Sequence, residues 1–331
     1  MHNFDFALTA VRACRSGRTI FVLAVAVASM FMGAAAQAQG LAERADRPSP
    51  RDDDAKTSAD KTADKDVTIG LELPARYSSS VTNSNIDLIV EDRPDRHVTP
   101  DVYLKWAHQY AWFKVSAEIG ASIDRYFKAS DADLDSLHAA FKFAKTDGKN
   151  EYFVPYFSFN HEMFFLPTFK EPVVSYDDVA IGFYSGIAWR DKELIPYRDA
   201  LIGHSDASEP GDVSLLFDAR FGRRMSDTLS YQNTFALGRI TAVYYISKHW
   251  RVEANTALRA RWYENYHSQR RTDYRPSAAI GLIWAPDWLT KLVKRSELSF
   301  NLEYYRNHSN IPEKSYKLWE LGPTLSLRTK F

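Results

Sequence analysis

The sequence predicts an all-β protein: a transmembrane, antiparallel, up-and-down β-barrel of about twelve strands behind a disordered N-terminal segment. Three observations lead there. Apolar residues recur at every second position over most of the chain beyond residue 66. The mean hydropathy is polar, −0.38, although 14% of the residues are aromatic. One apolar run of secretory type lies near the N-terminus, and none of helix-spanning length follows it. A wall facing lipid on one side needs an apolar residue only at alternate positions, which reconciles many aromatics with a polar average.

The N-terminal segment comes first. Arg12, Arg15 and Arg18 precede an apolar run from Thr19 to Ala36, which ends in Ala36-Gln37-Ala38. A basic flank, an apolar core and a small-x-small site predict a cleaved signal peptide over 1–38. An uncleaved anchor is the alternative, but the run is at the short end of what spans a bilayer. Cys14, the only cysteine, precedes the run, so the mature chain has no disulfide and no thiolate chemistry. From 39 to 66, mixed charges such as Arg51-Asp52-Asp53-Asp54 stand among Ala, Ser and Pro with no aromatics. That composition cannot offset chain entropy and predicts a disordered periplasmic tether; a plug folded into the barrel would need more apolar anchors. The chain carries 42 basic and 42 acidic residues, so no electrostatic footprint for nucleic acid is present.

The barrel is expected over 67–331. Val67, Ile69, Leu71 and Leu73 alternate with Thr68, Gly70, Glu72 and Pro74, which is the period of a strand with one apolar face. The same period runs through 113–124, 179–190 and 250–262, with weaker copies near 102–110, 134–145, 151–160, 212–222, 228–246, 274–285, 297–306 and 316–331. Within 228–246 the apolar phase shifts at Leu237-Gly238-Arg239-Ile240, which predicts a glycine bulge. Short turns are expected at 146–149 and 247–249, and long loops on the opposite side at 79–98, 161–176, 265–273 and 307–315. The stretch 191–211 breaks that alternation by being long where a short turn is wanted. Tryptophans such as Trp106, Trp189, Trp250, Trp284 and Trp319 fall near strand ends, as an aromatic girdle at the membrane interfaces would.

At the C-terminus, Trp319, Leu321, Leu325, Leu327 and Phe331 share one face of the last strand, and the sequence ends on Phe331. Here the chain resembles the Gram-negative outer-membrane β-barrel superfamily, with a departure at Thr329. The resemblance implies a cell-outer-membrane location and a barrel-assembly signal in Leu325, Leu327 and Phe331. It also implies the barrel-assembly machinery, outer-membrane lipids and lipopolysaccharide as partners.

Chemistry is sought on the inward face. The alternation turns Arg76, Lys105, Lys114, Lys142, Arg190, Arg220, Arg251, Arg259, Arg261, Arg328 and Lys330 inward, with fewer acids among them. Such a lumen favours small anionic solutes, and Lys114, Arg220, Arg251, Arg259 and Arg261 are the expected contacts. A packed interior of mutually satisfied charges is the structural alternative at this barrel size. No catalytic residue, metal or cofactor is expected from the motifs. Asn307-His308-Ser309-Asn310 is similar to the His-x-Ser-Asn element of outer-membrane phospholipases and lipid A deacylases, which gives a lipid-hydrolase alternative using His308 and Ser309. Adjacent strand residues point to opposite faces, which opposes that pairing. A structural or adhesive barrel acting through its extracellular loops is the third reading.

Overall fold

The computed structural model describes residues 65–83, 88–91, 93–146, 153–190, 193–196, 211–267, 269–293 and 295–331. The expected signal peptide, 1–38, lies outside them, and so does the tether, 39–66, except for Lys65 and Asp66, which already belong to the first strand.

Twelve strands close into one antiparallel barrel. They are β1 (Lys65–Ser78), β2 (Asp95–Val98 continued by Asp101–Gln109), β3 (Lys114–Tyr126) and β4 (Leu134–Ala144). Next come β5 (Val154–Phe165), β6 (Pro172–Arg190), β7 (Val213–Ser226) and β8 (Asn233–Tyr245). The last four are β9 (Trp250–Tyr266), β10 (Gln269–Trp284), β11 (Glu297–Ser309) and β12 (Tyr316–Lys330). Each strand pairs with its sequence neighbours, and β1 meets β12 from Thr68↔Lys330 to Ser78↔Glu320, which seals the cylinder. Closure satisfies every wall strand on both edges, the requirement for backbone in a lipid environment.

Local chemistry explains the irregularities. β2 is interrupted at Thr99-Pro100, opposite Pro74 of β1, where two prolines remove ladder donors. Thr99 N still donates to Pro74 O at 2.9 Å and Ile123 N to Pro100 O at 3.0 Å, so the wall stays continuous. β6 outruns β5, whose pairing stops at Val154↔Tyr184. The short strand Glu193–Pro196 folds back on Ile187–Arg190 and covers that stretch of edge.

The outward face is apolar in the middle of the wall. Ile119, Ile181, Leu258, Ile280 and Phe300 are each at least 50% exposed. The inward face is polar, with Arg76, Arg239, Arg259 and Asp101 buried. This inversion of a soluble core is the pattern of a membrane-spanning barrel.

Two expectations about the wall are corrected. The bulge at Gly238 is absent: β8 pairs with β7 and β9 without a register shift. The phase change arises because Phe235 and Leu237 point inward, Phe235 under the guanidinium of Arg259, while Ile240 points out. The loop asymmetry also differs. At the end away from the termini, the connections are 79–94, 127–133, 166–171, 227–232, 267–268 and 310–315, so the expected long loops at 161–176 and 265–273 are mostly strand, whereas most of the one expected at 307–315 is the turn 310–315. The strands continue there because alternation persists after the outward residues turn polar, as at His161 and Glu264. The longest connection, 191–212, is at the terminal end, as is 285–296, which carries helix α1 (Asp287–Leu292).

Candidate functional site

The inward face of the wall is the only concentration of buried charge that the strand alternation creates among the described residues, so the candidate site is built there. One row of laterally paired residues carries much of it. The row runs Lys114, Ala144, Tyr156, Gly182, Arg220, Leu237, Arg259 and Arg275 across β3 to β10. Three of the five expected solute contacts, Lys114, Arg220 and Arg259, therefore share one row. Arg261 stands one inward position above, opposite Asp273, and Arg251 lies four inward positions below Arg259. Lys114 sits on the far arc from the arginines. Gly182 leaves room for the Tyr156 ring, because a Cβ there would fall 2.7 Å from it.

The arc formed by β7 to β10 is arginine-rich. Arg220, Arg224, Arg239, Arg251, Arg259, Arg261, Arg271 and Arg275 face inward there, against Asp218, Glu253 and Asp273. The guanidinium groups are held by partners of several kinds. Arg224 makes two bonds to Asp178, at 2.7 and 2.6 Å, and its guanidinium lies 3.5 Å from the centre of the Tyr176 ring. Arg259 reaches the same carboxylate at 3.9 Å and lies over Phe235 at 4.9 Å. Arg271 binds Asp273 between the rings of Tyr263 and Tyr266. Arg275 lies over Tyr305 at 5.4 Å. Aromatic faces hold an arginine without neutralising it, so the arc keeps net positive charge.

The terminal end of the interior is tied differently. Arg251 pairs with Glu297 at 2.9 Å, and Arg328 approaches Glu297 at 3.8 Å and Glu72 at 3.7 Å. This chain of ion pairs spans β9, β11, β12 and β1. Arg76 and Glu303, at 3.7 Å, extend it toward the other end, where His97 Nε2 lies 3.4 Å from Glu320 Oε1. The expected contact Arg251 thus belongs to a paired network as well as to the arginine arc.

Alternation missed Arg224, Arg239, Arg271 and Arg275. Each omission has a local cause. The reading of β7 stopped at 222, two positions short of Arg224. The assumed bulge turned Arg239 the wrong way. The reading of β10 began at 274, after Arg271; Arg275 fell inside it, but the inward residues of that weaker copy were not carried through. Carrying the period through outward charged residues would have found Arg224 and Arg271.

The alternative hydrolase residues are separated. His308 is outward and exposed, opposite Tyr274, whereas Ser309 is inward, opposite Asp273, with no bulge between them. The Ser309 hydroxyl accepts from Ile311 N at 3.2 Å, and Asn310 binds Thr272 and Arg270, so the segment builds a turn. Leu325 and Leu327 face outward on the closing seam, opposite Leu73 and Leu71. Phe331 is 52% exposed, and its backbone N–H donates to Val67 O at 2.8 Å. No group of side chains arranged to hold a metal ion occurs among the described residues.

At the other end of the wall, Asp95, Asp133 and Asp135 organise the turns. Asp95 accepts from the backbone N–H groups of Lys128 and Ala129, at 2.8 and 2.9 Å. Asp133, in the 127–133 turn, accepts from Tyr126 N at 3.0 Å. Burial, with Asp135 and Asp131 nearby, raises the Asp133 carboxyl from 3.8 to about 6, against the opposing bond from Tyr126 and the charge of Arg125.

Fold and interior together define a twelve-stranded membrane β-barrel with a charged, arginine-rich inner wall. No protein family matches the sequence, and no curated protein does. Among solved structures the chain is similar to a KdgM porin in complex with disordered oligogalacturonate, at 9% identity and a TM-score of 0.36, over 77% of this chain and 98% of that one. It is also similar to an outer-membrane channel from Pseudomonas putida F1, at 9% identity and a TM-score of 0.43, over 83% and 100% of the two chains. The outer-membrane phospholipase of Salmonella typhi, a dimer with bound calcium, aligns at 10% identity and a TM-score of 0.41, over 78% and 90%.

Proposed function

We propose that the protein is an outer-membrane channel with a narrow interior that favours small anionic solutes. The observation that carries this reading is the arginine arc, above all the direct opposition of Arg259 and Arg275 inside the wall. Like charges facing each other across a strand pair destabilise a sheet that has no other use for them. In a lumen they form a fixed positive field along which an anion can move.

The location follows from the same barrel. Its apolar outer band is edged by Trp106, Trp250 and Trp284 at the terminal end and by Tyr77, Tyr304 and Trp319 at the other. We read these as the two aromatic girdles of a membrane-embedded wall, reached through a cleaved signal peptide. The barrel-assembly machinery and the lipopolysaccharide leaflet are the partners this reading supplies. The hydrolase reading has no paired base and nucleophile at His308 and Ser309, and no adhesive loop of the expected length stands at 161–176.

The test is conductance. Purified, folded protein in planar bilayers is expected to open in discrete steps, with a reversal potential displaced toward chloride under a potassium chloride gradient. Arg259→Glu combined with Arg261→Glu is expected to shift that potential toward potassium. Folded protein that gives no steps, or a reversal potential unchanged by the double substitution, would overturn the proposal.

A further inference from the structure

The outer wall carries a second charged feature, independent of the interior. Near the end away from the termini, outward residues change from apolar to charged. On several strands a basic residue there meets an acid on a nearby strand. Arg125 of β3 pairs with Asp135 of β4. His161 Nδ1 of β5 lies 2.8 Å from Asp177 Oδ1 of β6. Arg223 of β7 reaches Glu264 of β9 at 3.3 Å. Pairing of this kind neutralises the rim locally.

The arc formed by β11, β12, β1 and β2 departs from that pattern. Arg306 of β11 and Lys317 of β12 stand directly opposite each other, both outward and exposed. Arg96 of β2, outward and exposed, is opposite Tyr77 of β1. No ion pair to an acid holds Arg96, Arg306 or Lys317 among the described residues. The Arg306–Lys317 pair is the step directly after Tyr304–Trp319, whose rings lie 4.5 Å apart, and Leu302–Leu321 precedes them. Read along the two strands, the outward sequence is leucine pair, aromatic pair, cation pair. Two like charges at one cross-strand position cost stability unless an anion bridges them. An aromatic pair next to an aliphatic pair marks the depth at which lipid head groups begin.

We propose that this arc binds the phosphate of a membrane lipid, with Arg306 and Lys317 as the principal contacts and Arg96 as a flanking one. A phosphate monoester offers two negative charges and three acceptor oxygens to a guanidinium fork and an ammonium. The Tyr304 and Trp319 rings would lie against the glycerol or sugar region below it. Commitment to a lipid, rather than to free phosphate, rests on the apolar surface that continues beneath the cations.

The experiment measures lipid retention by native mass spectrometry on the full folded chain in an uncharged detergent, with phosphatidic acid as probe. Diacylglycerol with the same chains lacks only the phosphate, and inorganic phosphate serves as the competitor without chains. Wild-type protein is expected to retain phosphatidic acid and release diacylglycerol. Arg306→Gln with Lys317→Gln is expected to weaken retention roughly tenfold or more, from the loss of two surface cations. Arg223→Gln, which removes a cation already paired with an acid, is expected to change it less than about twofold. Heat-modifiable migration in gels establishes that each variant is folded, and Arg96→Gln, expected to weaken retention severalfold, serves if the double variant is not. Equal retention of diacylglycerol, equal retention by the double variant, or displacement by millimolar inorganic phosphate alone would each overturn the assignment.

Discussion

Arg259 of β9 and Arg275 of β10 occupy one cross-strand position inside the barrel, two guanidinium groups on neighbouring strands with no acid between them in the row. Each leans on a ring, Phe235 for Arg259 and Tyr305 for Arg275. If this opposition is kept for the lumen, Arg275→Glu is expected to replace a repulsive pair with an attractive one. The urea midpoint should then rise, by a stabilisation of a few tenths to about 1 kcal/mol, while anion preference falls. Parallel unfolding and reversal-potential measurements check both halves; a lower midpoint with unchanged selectivity contradicts the account.

Asp178 and Arg224 form a bidentate pair in which both side chains are 3% exposed. Removing one member leaves a buried charge without compensation. Asp178→Ala is expected to cost about 3–5 kcal/mol in barrel stability, whereas Glu264→Ala, which breaks the exposed pair with Arg223, is expected to cost about 1 kcal/mol or less. Urea-induced loss of heat-modifiable migration compares the two directly.

The 127–133 turn is expected to tighten as pH falls. The Asp133 carboxyl has a folded value of about 6 against an ordinary 3.8, so the folded turn binds the proton more strongly than the unfolded chain. The stabilisation is therefore fully present below about 4 and is lost as pH rises through about 6. Exchange protection of the Lys128 and Ala129 amides, corrected for intrinsic rates, should be greater at pH 5 than at pH 7.5. Asp133→Asn should flatten that difference.

Two glycines separate close packing from open space. A Cβ on Gly322 would fall 2.0 Å from the Ala75 carbonyl oxygen, on the sealing strand pair, so Gly322→Ala must displace backbone. A cost of about 1–3 kcal/mol is expected. A Cβ on Gly238 meets nothing within 4 Å, and Gly238→Ala is expected to be neutral or slightly stabilising. Unfolding midpoints test both; strong destabilisation at Gly238 would restore the bulge.

Phe331 follows the last strand with its ring half exposed, so little packing depends on it. Phe331→Ala is expected to lower the amount of assembled barrel in cells severalfold while leaving the unfolding midpoint of refolded protein within about 0.5 kcal/mol. Cell-envelope fractionation beside in vitro refolding distinguishes a signal for assembly from a structural side chain.

The strand order and closure were legible because period-two alternation is a direct consequence of a wall with two unlike faces. Every strand, from Val67 to the C-terminal run through Leu325 and Leu327, could be placed. What alternation could not show was where the wall continues past the lipid. His161, Glu264 and Arg270 keep the strand period while losing the apolar signal, so the expected loops there proved to be strand. Phe235 and Leu237 failed in the opposite sense: apolar side chains on the inner face imitate a register change that the backbone does not make. Lys114, Arg220 and Arg259 were placed correctly by parity alone, but parity says nothing of partners. That Arg251 is paired with Glu297 two strands away, and that Arg259 lies over Phe235 on the next strand, depends on neighbours that parity does not see.

Arg328 lies between Glu72 of the first strand and Glu297 of the eleventh. Glu297 is on the strand next to it, whereas Glu72 lies across the seam between the first and last strands, so Arg328 meets both carboxylates only when that seam is joined in the correct alignment. A slip of two residues at the seam would keep every lipid-facing side chain on its proper face, yet would carry Glu72 away from Arg328, while Glu297 kept Arg251. The seam is thus checked from the inside, by charge, against the one error that hydrophobicity cannot detect.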